Sequence, residues 1–160
     1  MPRTSAGILP FRFDGETLQV LLVHPGGPFW ARKDAGAWSI PKGEHGPNDD
    51  PLETALSELA EETGAAIATI DRGALVALGT VTQRGGKAVT AWGAELDIDA
   101  SRITSNTFTI EWPPRSGNER EFPEVDRAEW LDLETARTKI NAAQAAFLDR
   151  LEQALARPQG

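Results

Sequence analysis

Apolar positions crowd two stretches near the start of the chain, Ser5 to Phe13 (SAGILPFRF) and Thr17 to Pro25 (TLQVLLVHP), with Asp14-Gly15 between them. Both runs are rich in strand-forming side chains, and an Asp-Gly pair between such runs is a strong hairpin signal, so two antiparallel strands are expected. The next segment, GGPFWARKDAGAW, is Gly-rich and carries two tryptophans; it reads as a loop leading into the short extended piece WSIPKG. Loops of that length often serve function. At Asp50-Pro51-Leu52-Glu53 the pattern changes period. A carboxylate at the N-cap, Pro at the first helical position and an acid three residues on from the cap start a helix. Its apolar spacing carries it from Pro51 to Thr63, with Gly64 as the stop.

Beyond the helix, ALVALGTVTQ and KAVTAWGAEL are strand-like and flank Arg84-Gly85-Gly86, which predicts a second hairpin. Asp97 to Thr107 is polar and reads as irregular, FTIEW as a short strand, PPRSGNEREFPEV as a loop and RAEWLDL as an extended segment. From Asp132 onward, LETARTKI and AAQAAFLDRLEQAL place apolar residues such as Ala143, Phe147, Leu151 and Leu155 at helical spacing, so two helices are expected, with Arg157 to Gly160 frayed. Strands in hairpins with one helix between them and helices at the end describe a mixed α+β sandwich.

The chain has 160 residues, 40% hydrophobic and 25% charged, which fits a single domain over residues 1–160 with a real core. A net charge of -8 and a pI near 4.8 argue against a nucleic-acid partner, which would need a basic face. With no cysteine, disulfides and thiolate metal sites are excluded, which fits a reducing compartment. Neither a signal-peptide core nor a membrane-spanning run is present, so a cytoplasmic protein without a membrane partner is expected; the oligomeric state is not legible.

The predicted helix poses a chemical question. At about 100° per residue, Glu58, Glu61 and Glu62 share an arc of ~100°, while Leu52, Leu56, Leu59 and Thr63 occupy a face roughly opposite. Like charges at that spacing repel by a few tenths of a kcal/mol, and carboxylates in the last turn oppose the helix dipole by about 0.3–1 kcal/mol each. A hard divalent cation reverses the sign, because Mg²⁺ or Mn²⁺ prefers oxygen ligands. The alternative is a solvated acidic surface. The Gly-containing loop IPKGEHGPND arrives just before the helix and can bring backbone groups close to a metal or phosphate.

Gly43, Asp49 after five residues, Ser57-Glu58-Leu59 after seven more, then Glu61-Glu62 and Gly64-Ala65, form an order that resembles the signature of the Nudix (MutT-like) hydrolases. The box spans residues 43 to 65, and its SELAEETGA half is highly specific; the likeness extends loosely over nearly the whole chain. Asp49 stands where the family usually has glutamate and Ser57 where it has arginine, a cation that would neighbour and orient the glutamates. The resemblance implies an α/β/α sandwich with a mixed sheet and a catalytic helix after a Gly-containing loop, and Mg²⁺-dependent hydrolysis of nucleoside diphosphates linked to another group.

The same resemblance implies a site. Glu58 and Glu62 would be direct metal ligands, Glu61 would assist, and the carbonyl of Lys42 would complete the shell. EFPEVDRAEWLDLETA resembles the segment of asymmetric diadenosine tetraphosphate hydrolases that supplies a further glutamate, which places metal ligation or water activation on Glu124, with Glu119 and Glu121 as runners-up on the same loop. GGKAVTAWGAEL resembles their substrate-lining strand: Lys87 would contact phosphate and Trp92 lie near the base, against the simpler readings of a hairpin-end lysine and a core aromatic. Trp30 and Trp38 bracket the loop before the box; either can stack on a base, with Trp38 the better candidate for burial. His24 and His45 lack metal-ligand spacing, and Ser39, Ser57 and Ser116 lack a nucleophile elbow.

The function expected is therefore a metal-dependent pyrophosphohydrolase acting on a small nucleotide, with a dinucleoside polyphosphate or nucleoside triphosphate as substrate. The alternative is a Nudix-fold module that binds a nucleotide without turning it over. Whether Glu58 or Glu124 takes the proton from water stays open at this level.

Overall fold

The computed structural model describes residues 4–156; the expected fraying of Arg157 to Gly160 lies outside the described residues. Strands β1 (Thr4–Asp14) and β2 (Thr17–Pro25) pair antiparallel, with Asp14 opposite Thr17 across Gly15 and Glu16. Gly15 takes φ +63, the left-handed value such a turn requires. Both strands are covered on both faces, which is why their sequences run as near-continuous apolar stretches instead of alternating.

The pairing of β1 changes along its length. Its C-terminal half, Phe11 to Asp14, pairs with β2, whereas Ser5 to Gly7 pair with the short strand β3 (Lys42–Glu44). The chain from Ser39 to Glu44 enters where β1 and β2 part: Ser39 and Val23 exchange backbone hydrogen bonds at 2.9 and 3.0 Å, and Ile8 N–H donates to the Pro41 carbonyl at 3.1 Å.

Helix α1 (Pro51–Thr63) matches its sequence boundaries. The Asp50 carboxylate accepts from Leu52 N–H, and Gly64, at φ 78, donates back to the Ala60 carbonyl. Strands β4 (Val76–Thr82) and β5 (Ala88–Glu95) form the second expected hairpin, and β5 lies parallel to β1. The loop predicted from Pro113 to Val125 is in part a strand: β6 (Thr107–Glu111) pairs with β7 (Glu119–Pro123) in a separate two-stranded sheet. Its apolar face joins Phe108, Ile110 and Trp112 to Phe122, and the neighbouring Glu119, Arg120 and Glu121 hide that alternation in the sequence. Strand β8 (Val125–Asp132) then completes the main sheet against β2, giving the mixed order β4-β5-β1-β2-β8 with β3 beside β1.

Helix α2 (Leu133–Lys139) is capped by Asp132, and α3 (Ala145–Ala156) follows a 3-10 turn at Ala142–Gln144. Two cores form, one on each face of the sheet. Ile8, Leu21 and Val23 meet Ala55, Leu56 and Leu59 of α1, while Leu9, Val20 and Leu22 meet Trp38, Phe147, Leu148 and Leu151 under α2 and α3. The result is the α/β/α sandwich expected. Among the described residues, no helix is long and apolar enough to cross a membrane.

Candidate functional site

Leu56 and Leu59 anchor α1 to the sheet, and that fixes the rotation of the helix and the direction of its acidic side. Glu61 is exposed and Glu58 half-buried, but Glu62 is only 9% exposed. The sequence places all three on a presented face; the structure buries Glu62, because the Lys42 backbone lies over it and donates its N–H to Oε2 at 2.9 Å. Two glycines make that approach possible. A Cβ on Gly7 would stand against the Pro41 carbonyl, Ile40 and Lys42, and one on Gly43 would occupy the space of the Glu58 carboxylate. Gly43 is legible as part of the box; Gly7 is hidden in a strand and only its contacts identify it.

The entering segment is held from the other face as well. Buried Gln144 accepts from Ile40 N–H at 3.0 Å and donates to Ser39 Oγ at 3.0 Å and to Gln83 Oε1 at 2.9 Å. The loop before it is tied down by His24, fully buried, whose Nδ1 lies 2.8 Å from Asp126 Oδ1 and whose Nε2 lies 2.7 Å from the Lys33 carbonyl. Both Gln144 and His24 escape sequence reasoning, since their partners are distant in the chain.

The carboxylates feel one another. Burial, and then the charges of Glu61 and Glu124, push the Glu58 carboxyl up to about 7. Burial and the charge of Glu58 push Glu62 up to about 8, against the opposing hydrogen bond from the Lys42 amide. Lys42 is moved the other way, down to about 8, by burial and by the neighbouring Lys87 ammonium. Glu58, Glu61, Glu62 and Glu124 thus gather within reach of one another's charge beside Lys42, which has Lys87 next to it, and Lys42, Glu62 and Glu124 line a small cavity of about 150 Å³ with Val23, Pro25 and Ser39.

The other candidates are placed differently. Glu119 and Glu121 stand exposed on the face of the β6–β7 hairpin opposite Phe122, and neither lines the cavity of Lys42, Glu62 and Glu124. Trp92 is half-buried against the α1-side core, and Trp38 is fully buried with Nε1 donating to Asp34 at 2.7 Å. Trp30 is 40% exposed. Ser57 is exposed on a wall it shares with Glu44, Asp49, Asp50, Glu53 and Glu58, so the helix brings no cation to its own acids.

Among the described residues, no three His, Asp or Glu side chains already form a closed metal cage. The donor set nevertheless suits a hard divalent cation: it is all oxygen, two of its carboxyls are raised by burial and by like charges that a cation would offset, and the space a side chain at position 43 would fill is taken by the Glu58 carboxylate. Glu58, Glu61, Glu62, Glu124 and the Lys42 carbonyl are the groups able to hold it.

A family model described as the NUDIX domain matches residues 1–151. Among solved structures, the binary complex of the C. elegans Ap4A hydrolase is similar at 21% identity and a TM-score of 0.65, covering 95% of this chain and 98% of that one. The M. smegmatis Nudix hydrolase RenU is similar at 20% identity and a TM-score of 0.63, covering 98% and 89%. The NUDIX domain of Shewanella oneidensis NrtR, complexed with ADP ribose, is similar at 17% identity and a TM-score of 0.61, covering 98% and 90%. At these identities the likeness is one of fold. No curated protein matches the chain.

Proposed function

This chain belongs to the NUDIX domain family, and from that premise we propose that it is a Mg²⁺-dependent phosphoanhydride hydrolase, with Mn²⁺ the alternative ion, acting on a nucleoside polyphosphate and preferring a dinucleoside polyphosphate. The observation that carries the proposal is the gathering of Glu58, Glu61, Glu62 and Glu124 beside Lys42, with Lys87 next to that lysine. The C. elegans neighbour, an Ap4A hydrolase, supports the substrate preference. A divalent cation held by the four glutamates and the Lys42 carbonyl would offset phosphate charge and acidify a bound water.

The chain's own groups do the rest. Lys42 and Lys87 attract phosphate oxygens, and Lys42, lowered only to about 8, stays mostly charged at neutral pH. Water attacks phosphorus in line with the departing oxygen. Its proton passes to Glu124, exposed beside the buried pair, with Glu58 the other acceptor; the anhydride P–O bond breaks and its oxygen leaves on the departing phosphate. Glu62, pinned by the Lys42 amide, couples the phosphate-binding strand to the helix.

Product analysis on a nucleotide panel with Mg²⁺, Mn²⁺ or chelator tests this. Metal-dependent release of phosphate products is expected, fastest on diadenosine polyphosphates. Binding without product under any metal would instead favour a nucleotide-binding module, the reading that Ser57 and the ADP-ribose complex of the NrtR domain point toward.

A further inference from the structure

Phe29 is 62% exposed and Trp30 40% exposed, although large aromatics ordinarily bury most of their surface. The loop that carries them is firmly seated. Gly26 N–H donates to the Glu124 carbonyl at 2.9 Å, a Cβ on Gly26 would enter the Pro123 carbonyl, and one on Gly27 would meet the Phe108 ring. The loop therefore lies along the apolar face of the β6–β7 hairpin, with Gly27 at Phe108 and Phe29 at Trp112, the last two rings 5.4 Å apart and edge-to-face at 80°.

Cations border these rings. Lys33 Nζ stands 5.0 Å from the Trp30 ring and the Arg120 guanidinium 5.5 Å from Phe122, with Arg32 on the same loop and Arg115 at the hairpin end. Several arginines elsewhere are matched to acids, as in Arg12 with Asp97, Arg72 with Glu53 and Arg137 with Asp149, while Arg150 donates to the Leu78 and Thr80 carbonyls. The side chains of Arg32, Lys33, Arg115 and Arg120 form no ion pair among the described residues; the Arg115 backbone N–H donates to the Glu111 carboxylate at 2.7 Å. In a chain of net charge -8, free cations collected beside exposed rings fit an anionic ligand with a planar group.

We propose that Phe29, Trp30 and Trp112 form a platform for the second base of a dinucleoside polyphosphate, with Arg32, Lys33, Arg115 and Arg120 flanking the phosphate chain that reaches it from Lys42 and Lys87. The assignment rests on the phosphoanhydride reading of the cleft. Strand β6 carries Trp112 away from the cleft: Glu124 N–H bonds the Asn106 carbonyl, and Trp112 lies six residues further along the chain, at most ~20 Å at about 3.4 Å per residue. Several linked phosphates carrying a second nucleoside reach along a separation of that order. Aromatic rings stack on any base face, so the platform selects for a base without selecting which.

The test is calorimetric binding, with Mg²⁺, of uncleavable methylene-bridged analogues of diadenosine tetraphosphate and of adenosine triphosphate. Phe29→Ala and Trp112→Ala are expected to weaken the dinucleotide analogue about ten-fold, with Phe29→Tyr retaining it and the mononucleotide analogue within about two-fold of wild type. An unchanged dinucleotide affinity, an equal loss for both analogues, or a wild-type protein that binds neither would overturn the platform. Because neither analogue is cleaved, the readout is separate from turnover. Phe29-dependent binding in a protein that hydrolyses no natural substrate would remove the hydrolase reading and keep the platform.

Discussion

A methyl group on Gly43 would fall on the Glu58 carboxylate, so Gly43→Ala must either move that side chain or shift β3 away from α1. Overpacking of this kind costs about 1–3 kcal/mol. The expected outcome is a lower denaturation midpoint together with reduced stabilisation by Mg²⁺, measured by urea unfolding with and without the ion. Glu58→Gln separates shape from charge, since the amide fills the same space without the negative oxygen. Turnover is expected to fall by about 100-fold or more, with affinity for an uncleaved nucleotide largely kept; unchanged turnover in single-cycle kinetics would remove Glu58 from the mechanism. Ser57 has room for a larger side chain, being exposed on a wall with Glu53, Asp49 and Glu58. Ser57→Arg should stabilise the metal-free protein by a few tenths of a kcal/mol through that acidic wall, a gain that salt removes.

The pH dependence belongs to α1 and β3 acting together. Glu62, raised to about 8, and Glu58, raised to about 7, hold protons in the fold that an unfolded glutamate releases near 4.5. Between about 4.5 and 8 the native state binds more protons than the unfolded one, so stability falls as pH rises. Lys42, lowered to about 8, adds a penalty that is complete below 8 and is relieved as pH climbs toward 10.5. In chelator, thermal scans should show the melting temperature falling from pH 5 to pH 8 and recovering in part above it. Mg²⁺ should flatten the fall, and Glu62→Gln should raise stability at pH 8 by roughly 1–3 kcal/mol; a melting temperature that rises steadily from pH 5 to 8 in chelator would contradict the burial of these acids. The sequence announces α1 because its signals are local: Asp50, Pro51 and Gly64 act within a turn of the ends they define. Its cluster of acids is local too, and so is the box. What the sequence hides is long-range. The burial of Glu62 depends on Lys42 from another strand, Gly7 has no local reason to be glycine, and β7 is masked by charges whose apolar partners lie on β6. Glu124 is legible by resemblance to a family segment, but its place beside Glu58 and Glu62, which Glu119 and Glu121 do not share, comes from contacts between distant parts of the chain.

Across the whole molecule the charges are sorted in a way that net charge conceals. A chain with 24 acids and 16 Lys and Arg would repel a polyphosphate if its charges were spread evenly. Instead, several arginines remote from the cleft are paired, whereas Lys42 stands beside the carboxylate site with Lys87 next to it, and the side chains of Arg32, Lys33, Arg115 and Arg120, on the loop and hairpin, form no ion pair among the described residues. The attraction is therefore local, acting within about 10 Å at ordinary salt against a repulsive background. Two consequences can be separated by their salt dependence. Raising ionic strength screens the local cations and should raise KM for a dinucleoside polyphosphate several-fold, with kcat little changed because the buried groups are screened less. The double variant Arg115→Ala, Arg120→Ala should begin with the higher KM and show a flatter salt dependence, while its metal requirement stays that of wild type. If salt raises KM equally in both proteins, the hairpin cations do not meet the substrate, and the attraction must come from Lys42 and Lys87 alone.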